Sequence, residues 1–369
     1  MPSDVFEPFR INTLELKNRF MRSATWDGSA DSTGAVTDGS VAIYRELGKG
    51  GAGLIVSGYA FVSANGQAAG RQYGAHNDDM IPGLSRMAEV VHQGGAKIAL
   101  QIVHSGINSG YLAGIGETLL AVSRMPTVNR EHREMTGEEI ETIIADFAAA
   151  AVRAREAGFD AVQLHGAHGY LMSQFLSPLY NRRDDSWGGT IDNRERFHLE
   201  VVRRVRLALG ADFPLMIKFG VQDDRERGLT LNDGLQTAQG MEGEGIDAIE
   251  VSAGIGTSSQ VIREGEAERP YFRERAAAVK KVVKIPVMVV GGIRSLTTAR
   301  DIVASRDADM VSMCHPFIRE PGLIGRWQNG DEAPARCISC NRCMAILQRG
   351  EPLECGEERR LREEAATGS

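Results

Sequence analysis

One unit recurs along this chain eight times: a short run rich in β-branched residues, a turn, then an amphipathic helix. The runs lie at 19–25, 52–62, 97–106, 160–167, 214–220, 248–254, 286–293 and 308–315. They are apolar almost throughout rather than alternating, which predicts parallel strands covered on their outer side. The helical pattern is clearest over 138–157, where Ile140, Ile143, Ile144, Phe147 and Ala151 share one face. Thr136 and Glu139 form a capping-box pattern before it, and Gly158 is a stop after it. Eight such units close into a (β/α)8 TIM barrel, with an open doubly wound sheet as the alternative. Two insertions, 107–135 and 168–192, leave the carboxyl ends of strands, where barrel enzymes build their sites.

Bulk properties narrow the function. A chain of 369 residues, 42% hydrophobic, buries a large core. A net charge of −7 and 6% aromatics offer neither a basic stripe nor stacking platforms, so nucleic acid is not an expected partner. No apolar run reaches the ~20 residues that span a bilayer, and the start MPSDVFEPFR lacks the flank of a signal peptide. The expectation is a cytoplasmic protein with no membrane association.

The strand ends carry polar residues in an apolar setting. Thr25 closes the first run, Gln101 lies in the third, His165 and His168 close the fourth with Tyr170 following, and Lys218 closes the fifth. Any one of them could simply be satisfied by nearby backbone. The two histidines could be half of a zinc site, but no third ligand stands at a useful spacing. Six at one face of a barrel point instead to chemistry. Two kinds fit. Lys218 could form a Schiff base with a carbonyl substrate, as in a lyase, or its charge could stand beside the N1 and C2 carbonyl of a flavin.

The segment HGAHGYLMSQFLSPLYNRRDDSWGGTIDNRER, 165–196, resembles the Old Yellow Enzyme or NADH:flavin oxidoreductase family, and the likeness runs from PFRINTLELKNRFMRSAT to about residue 330. The resemblance implies an FMN enzyme that takes hydride from NAD(P)H and reduces an activated C=C bond of a small unsaturated substrate. It implies that His165 and His168 hold the substrate oxygen and that Tyr170 protonates the α-carbon. Thr25 would meet the flavin C4 carbonyl and Gln101 its pyrimidine edge. Lys218 stands where better known members carry arginine, and Ser57, Gly58 and Tyr59 would pack against the ring. Gly291 and Gly292 would let backbone N–H groups reach the phosphate. After strand eight the family usually has an arginine for that phosphate. Here Cys314 and His315 stand in its place, which predicts a looser hold on FMN.

Beyond the barrel, Cys337, Cys340, Cys343 and Cys355 make C-x2-C-x2-C-x11-C. In a cytosolic chain that spacing suits thiolate ligation of a 4Fe-4S cluster or of zinc. The resemblance favours the cluster, because longer relatives of the 2,4-dienoyl-CoA reductase and trimethylamine dehydrogenase type carry four cysteines after the same barrel. A thiol tail with no redox role is the plainer alternative. The expected division is an FMN-binding barrel over 1–330 and a cysteine-rich extension over 331–369. No G-x-G-x-x-G follows a strand; Gly110, Gly114 and Gly116 do not make one. NAD(P)H is therefore expected to enter the substrate pocket, unless an electron-donor protein feeds the cluster. Association of copies through barrel helices is the family habit.

Overall fold

The computed structural model describes residues 4–256 and 266–367. Eight parallel strands form its centre: β1 (Phe20–Arg22), β2 (Leu54–Val56), β3 (Lys97–Val103), β4 (Ala161–Gly166), β5 (Leu215–Phe219), β6 (Ala248–Val251), β7 (Val287–Val290) and β8 (Met310–Met313). Each pairs with the next in sequence, and β8 returns to β1, so the sheet closes on itself. The open-sheet alternative is thereby excluded.

Closure follows from side-chain size and strand parity. Ile55, Ile98, Val162, Ile217 and Ile249 face outward into the main core, against helices. Inside, Met21, Leu54, Ala99, Ala161, Met216, Ala248, Met288 and Met310 form a separate cluster. Small alanines opposite long methionines fill the tapering interior with no room for a channel. An antiparallel hairpin, Phe9–Ile11 with Leu14–Leu16, plugs the amino-terminal end by adding Ile11, Leu14 and Leu16 to that cluster. The opposite end stays open for loops.

Local signals behave as their physics requires. The helix α1 (Gly137–Glu156) has its capping box: the Thr136 hydroxyl accepts from Glu139 N, and the Glu139 carboxylate accepts from Thr136 N at 2.9 Å. It packs against α2 (Ile191–Leu209) through the edge-on pair Phe147 and Phe197. The run 52–62 divides, because between β2 and the two-residue strand Ala60–Phe61 the chain swings inward at Gly58. A Cβ there would stand 3.0 Å from the Thr25 carbonyl, and the Gly58 N–H donates to the Tyr44 hydroxyl at 2.6 Å. The cysteine-rich tail lies on the open end, where Leu353 N donates to the Asp27 carbonyl at 2.8 Å and Ala335 N to that of Arg294 at 2.7 Å.

Candidate active site

Register brings together what the sequence scatters. Gln163 stands beside Gln101 across the β3–β4 ladder, His165 beside Lys218 across β4–β5, and Lys218 beside Glu250 across β5–β6. All face the barrel axis, and all but His165 join Ser23 and Ser312 in one hydrogen-bonded layer above the methionine plug. Lys218 Nζ donates to Ser23 Oγ at 2.6 Å, and Ser23 Oγ donates to Glu250 Oε1 at 2.7 Å. Ser312 Oγ reaches the same oxygen at 2.7 Å, while Gln163 Nε2 donates to Oε2 at 2.8 Å and itself accepts from Gln101 at 2.7 Å. Lys218 stands 3.5 Å from Glu250, and both are buried. Gln101 and Lys218 are legible in the sequence as polar residues in apolar runs. Glu250, Gln163 and Ser312 share that signal, and parity with Lys218 would have marked Glu250.

Above this layer sit the two histidines and the tyrosine. His168 takes a left-handed conformation, φ 60°, followed by Gly169 at 77°. This sharp turn is fixed from outside, because Asn108 Nδ2 and Gln174 Nε2 both donate to the Gly169 carbonyl, at 2.7 and 2.6 Å. Strain held by surrounding bonds in this way is a mark of functional turns. The His165 ring lies 5.0 Å from that of His168 and 4.9 Å from that of Tyr170, each edge to face. Tyr170 Oη lies 3.5 Å from Tyr59 Oη. His165 Nδ1 accepts from Ala167 N at 3.3 Å, which leaves the proton of the neutral ring on Nε2. His168 Nε2 meets Ser252 Oγ at 2.9 Å.

Burial holds both rings neutral. It pushes His165 well below the ordinary histidine range and His168 down to about 3, with the nearby Lys218 charge acting in the same direction. Burial also raises Tyr170, so its phenol keeps its proton. His104 and His198, equally buried, fall to about 3 as well. A histidine depressed in the fold adds stability above its unfolded pKa of ~6.5 that is lost as pH falls toward the folded value. We expect a lower urea midpoint at pH 5 than at pH 7.5, by about 1–2 kcal/mol per histidine. His198→Leu should remove part of the loss, since neither ring nitrogen of His198 has a partner; an unchanged pH dependence would count against it.

Beside this group opens a cavity of about 1110 Å³, lined by His168, Lys218, Gly291, Gly292, Cys314 and His315 among others. Its size admits a cofactor with a second molecule beside it. Thr25 stands behind this lining, its hydroxyl 3.0 Å from Cys314 Sγ. Ser57 is drawn into the backbone: its hydroxyl donates to the Gly58 carbonyl and accepts from Gln101 N. Of the residues expected around an FMN ring, Lys218 and His168 line this cavity, while the Gln101 amide is bonded to Gln163 and His165 packs edge to face on His168.

The backbone around Gly291 and Gly292 already has close partners. Gly291 and Gly292 have φ 99° and 74°, but the space left by their missing Cβ atoms is taken by the chain itself. A Cβ on Gly292 would stand 1.8 Å from the Arg269 carbonyl, and one on Gly291 2.7 Å from Tyr271. Glu268 covers the nearby donors, accepting from Arg294 N and Ser295 N and, at 2.7 Å, from Ser295 Oγ. His315 is pushed down by burial and supplies no charge. These glycines thus admit the 269–271 segment first, and the anion-binding backbone beside them already carries a carboxylate.

The four tail cysteines are half-buried and line one small cavity with Ser339 and His315, residues that also line the large one. Burial raises Cys337 and pushes Cys343 up to about 12. Among the described residues no group of three or more His, Cys, Asp or Glu is arranged to hold a metal ion. The donor type suits a thiolate-bound group; the spacing of the side chains is not that of a closed site.

The closed parallel barrel, with helices between its strands, places the chain among the TIM barrels. The chain belongs to the NADH:flavin oxidoreductase / NADH oxidase family, whose model matches residues 4–333. It is 37% identical over 345 residues to an NADH oxidase of Thermoanaerobacter brockii, covering 92% of this chain and 53% of that protein. It is 34% identical over 324 residues to an NADPH dehydrogenase of Geobacillus sp. (strain WCH70), covering 87% of this chain and 92% of that one. Among solved structures, a 2-naphthoyl-CoA reductase in complex with 2-naphthoyl-CoA superposes with a TM-score of 0.90 at 28% identity, over 96% of this chain and 57% of that one. The chain thus spans about half the length of several relatives it matches, and nearly the whole of others.

Proposed function

We propose that the barrel, residues 1–330, binds FMN, accepts hydride from NADH or NADPH in the same pocket, and reduces an activated C=C bond. The observation that carries this reading is the joint placement of His165, His168 and Tyr170 over Lys218, beside a cavity large enough for cofactor and substrate. Bound FMN supplies the hydride chemistry. The chain does the rest. Neutral imidazole N–H groups, aimed from a buried site, hold a carbonyl or nitro oxygen as negative charge grows on it. Tyr170 keeps its proton until a carbon beside that group needs it. Low dielectric around the buried rings strengthens both contacts.

The test is a spectrum. The purified protein should be yellow, lose its flavin absorbance with NADH or NADPH under anaerobic conditions, and regain it with an enone. A colourless protein that borohydride traps with a carbonyl compound would instead mark a Lys218 lyase. The ties of Lys218 Nζ to Ser23 and Glu250 speak against that role.

We further propose that the extension, 331–369, carries a thiolate-bound group, a 4Fe-4S cluster ahead of zinc, through Cys337, Cys340, Cys343 and Cys355. A second electron route, from a donor protein, is favoured by one observation: Ser339 and His315 line both cavities. Iron and acid-labile sulfide near four per chain, both lost in Cys343→Ser, are expected from anaerobic preparations. Zinc at one per chain would assign a structural site, and neither metal would leave a plain thiol tail. Among the described residues no helix is long and apolar enough to cross a membrane.

A further inference from the structure

A carboxylate buried at the centre of a barrel is expensive unless its surroundings compensate it, and Glu250 is fully buried. Its partners are all donors. Ser23 and Ser312 fill Oε1, and Gln163 and Lys218 face Oε2. Because the Ser23 hydroxyl accepts from Lys218, its own proton points to Glu250, so the chain of bonds runs in one direction from ammonium to carboxylate. A group that only accepts, from four donors, has the chemistry of an ionised carboxylate. The other titratable groups packed over this layer, His165 and His168, are held neutral by burial. Lys218 and Glu250 are then opposite charges in direct contact, and at the floor of the proposed ring site they sum to zero.

We propose that Glu250 is a positioning residue for the flavin site: it fixes Lys218 against the floor and cancels its charge, making the bound flavin a weaker acceptor than it would be above an unpaired cation. In a buried setting, charges a few ångströms away act strongly on a ring whose reduction adds negative charge. The inference rests on the proposed flavin reading. A purely structural role, holding six strand ends together, would leave the electronic properties of the flavin alone.

Sulfite reads those properties without turnover. Its sulfur lone pair adds to N5 of oxidised flavin, and the displaced electron pair comes to rest toward N1 and the C2 carbonyl, bleaching the absorbance. In the flavin-loaded protein, Glu250→Gln should tighten sulfite binding at least tenfold, which corresponds to about 30 mV in a two-electron potential. The double variant Lys218→Met with Glu250→Met removes the pair without changing net charge, and apolar replacement of a buried pair commonly preserves folding. Its sulfite affinity should stay within tenfold of wild type. An unchanged or weaker affinity in Glu250→Gln would overturn the proposal, as would a loss beyond tenfold in the double variant, since Lys218 would then be acting as an unbalanced cation. If Glu250→Gln does not fold, the double variant decides alone. A wild-type protein that binds no flavin sinks the flavin reading itself; one that binds flavin with no response to Glu250 sinks only this inference.

Discussion

Replacing Tyr170 by phenylalanine should slow reoxidation by an enone about 10²–10⁴-fold and leave reduction by NADH or NADPH unchanged. The expectation comes from what the hydroxyl alone contributes. Burial raises the phenol above its ordinary range, so it stays protonated, and the neutral histidines beside it do not compete as acids. The phenylalanine ring keeps the edge contact with His165 at 4.9 Å, so the turn that places His168 survives the change. What is lost is the hydroxyl, with its proton and its 3.5 Å contact to the Tyr59 hydroxyl. Stopped-flow measurement of the two half-reactions separates the cases: equal slowing of both would mean that Tyr170 shapes the pocket and is not the acid.

Phe175→Ala should cost about 3–5 kcal/mol of stability, read as a fall in the denaturation midpoint. Phe175 is fully buried on the short helix Leu171–Leu176, stacked on Phe197 at 4.1 Å and tilted against Trp187 at 6.3 Å. Its ring ties the loop that carries His168 and Tyr170 to α2. Gln174, the residue before Phe175, holds the Gly169 carbonyl and the strained turn. A cavity under this helix should therefore loosen the site as well as the fold. A loss below about 1 kcal/mol would mean that the 168–192 insertion is anchored by its hydrogen bonds instead.

Much of the site could be read early because its residues break a pattern. His165, Lys218 and Gln101 are polar where strand periodicity calls for apolar, and each proved to face the barrel axis. The capping box at Thr136 and Glu139 and the positive φ at Gly158 are local, so adjacent residues sufficed to place them. At Gly291 and Gly292 the structure adds partners that the sequence did not announce. Gly291 and Gly292 do need their missing side chains, but for the approach of Arg269 and Tyr271, and Glu268 covers the neighbouring N–H groups. Nothing near 291 in the sequence announces a carboxylate arriving from 268.

Sequence alone determined the eightfold unit, the barrel and the family. Those properties rest on periodicity and on residue types within short windows. Only the tertiary structure decided that Lys218 is paired, that the histidines are neutral, and that the anion-binding backbone at Ser295 already has an occupant. Each of these depends on strand register or on a segment folding back across the mouth. Electrostatics in a buried site is set by partners a few ångströms away, and in a closed barrel those partners come from distant parts of the chain.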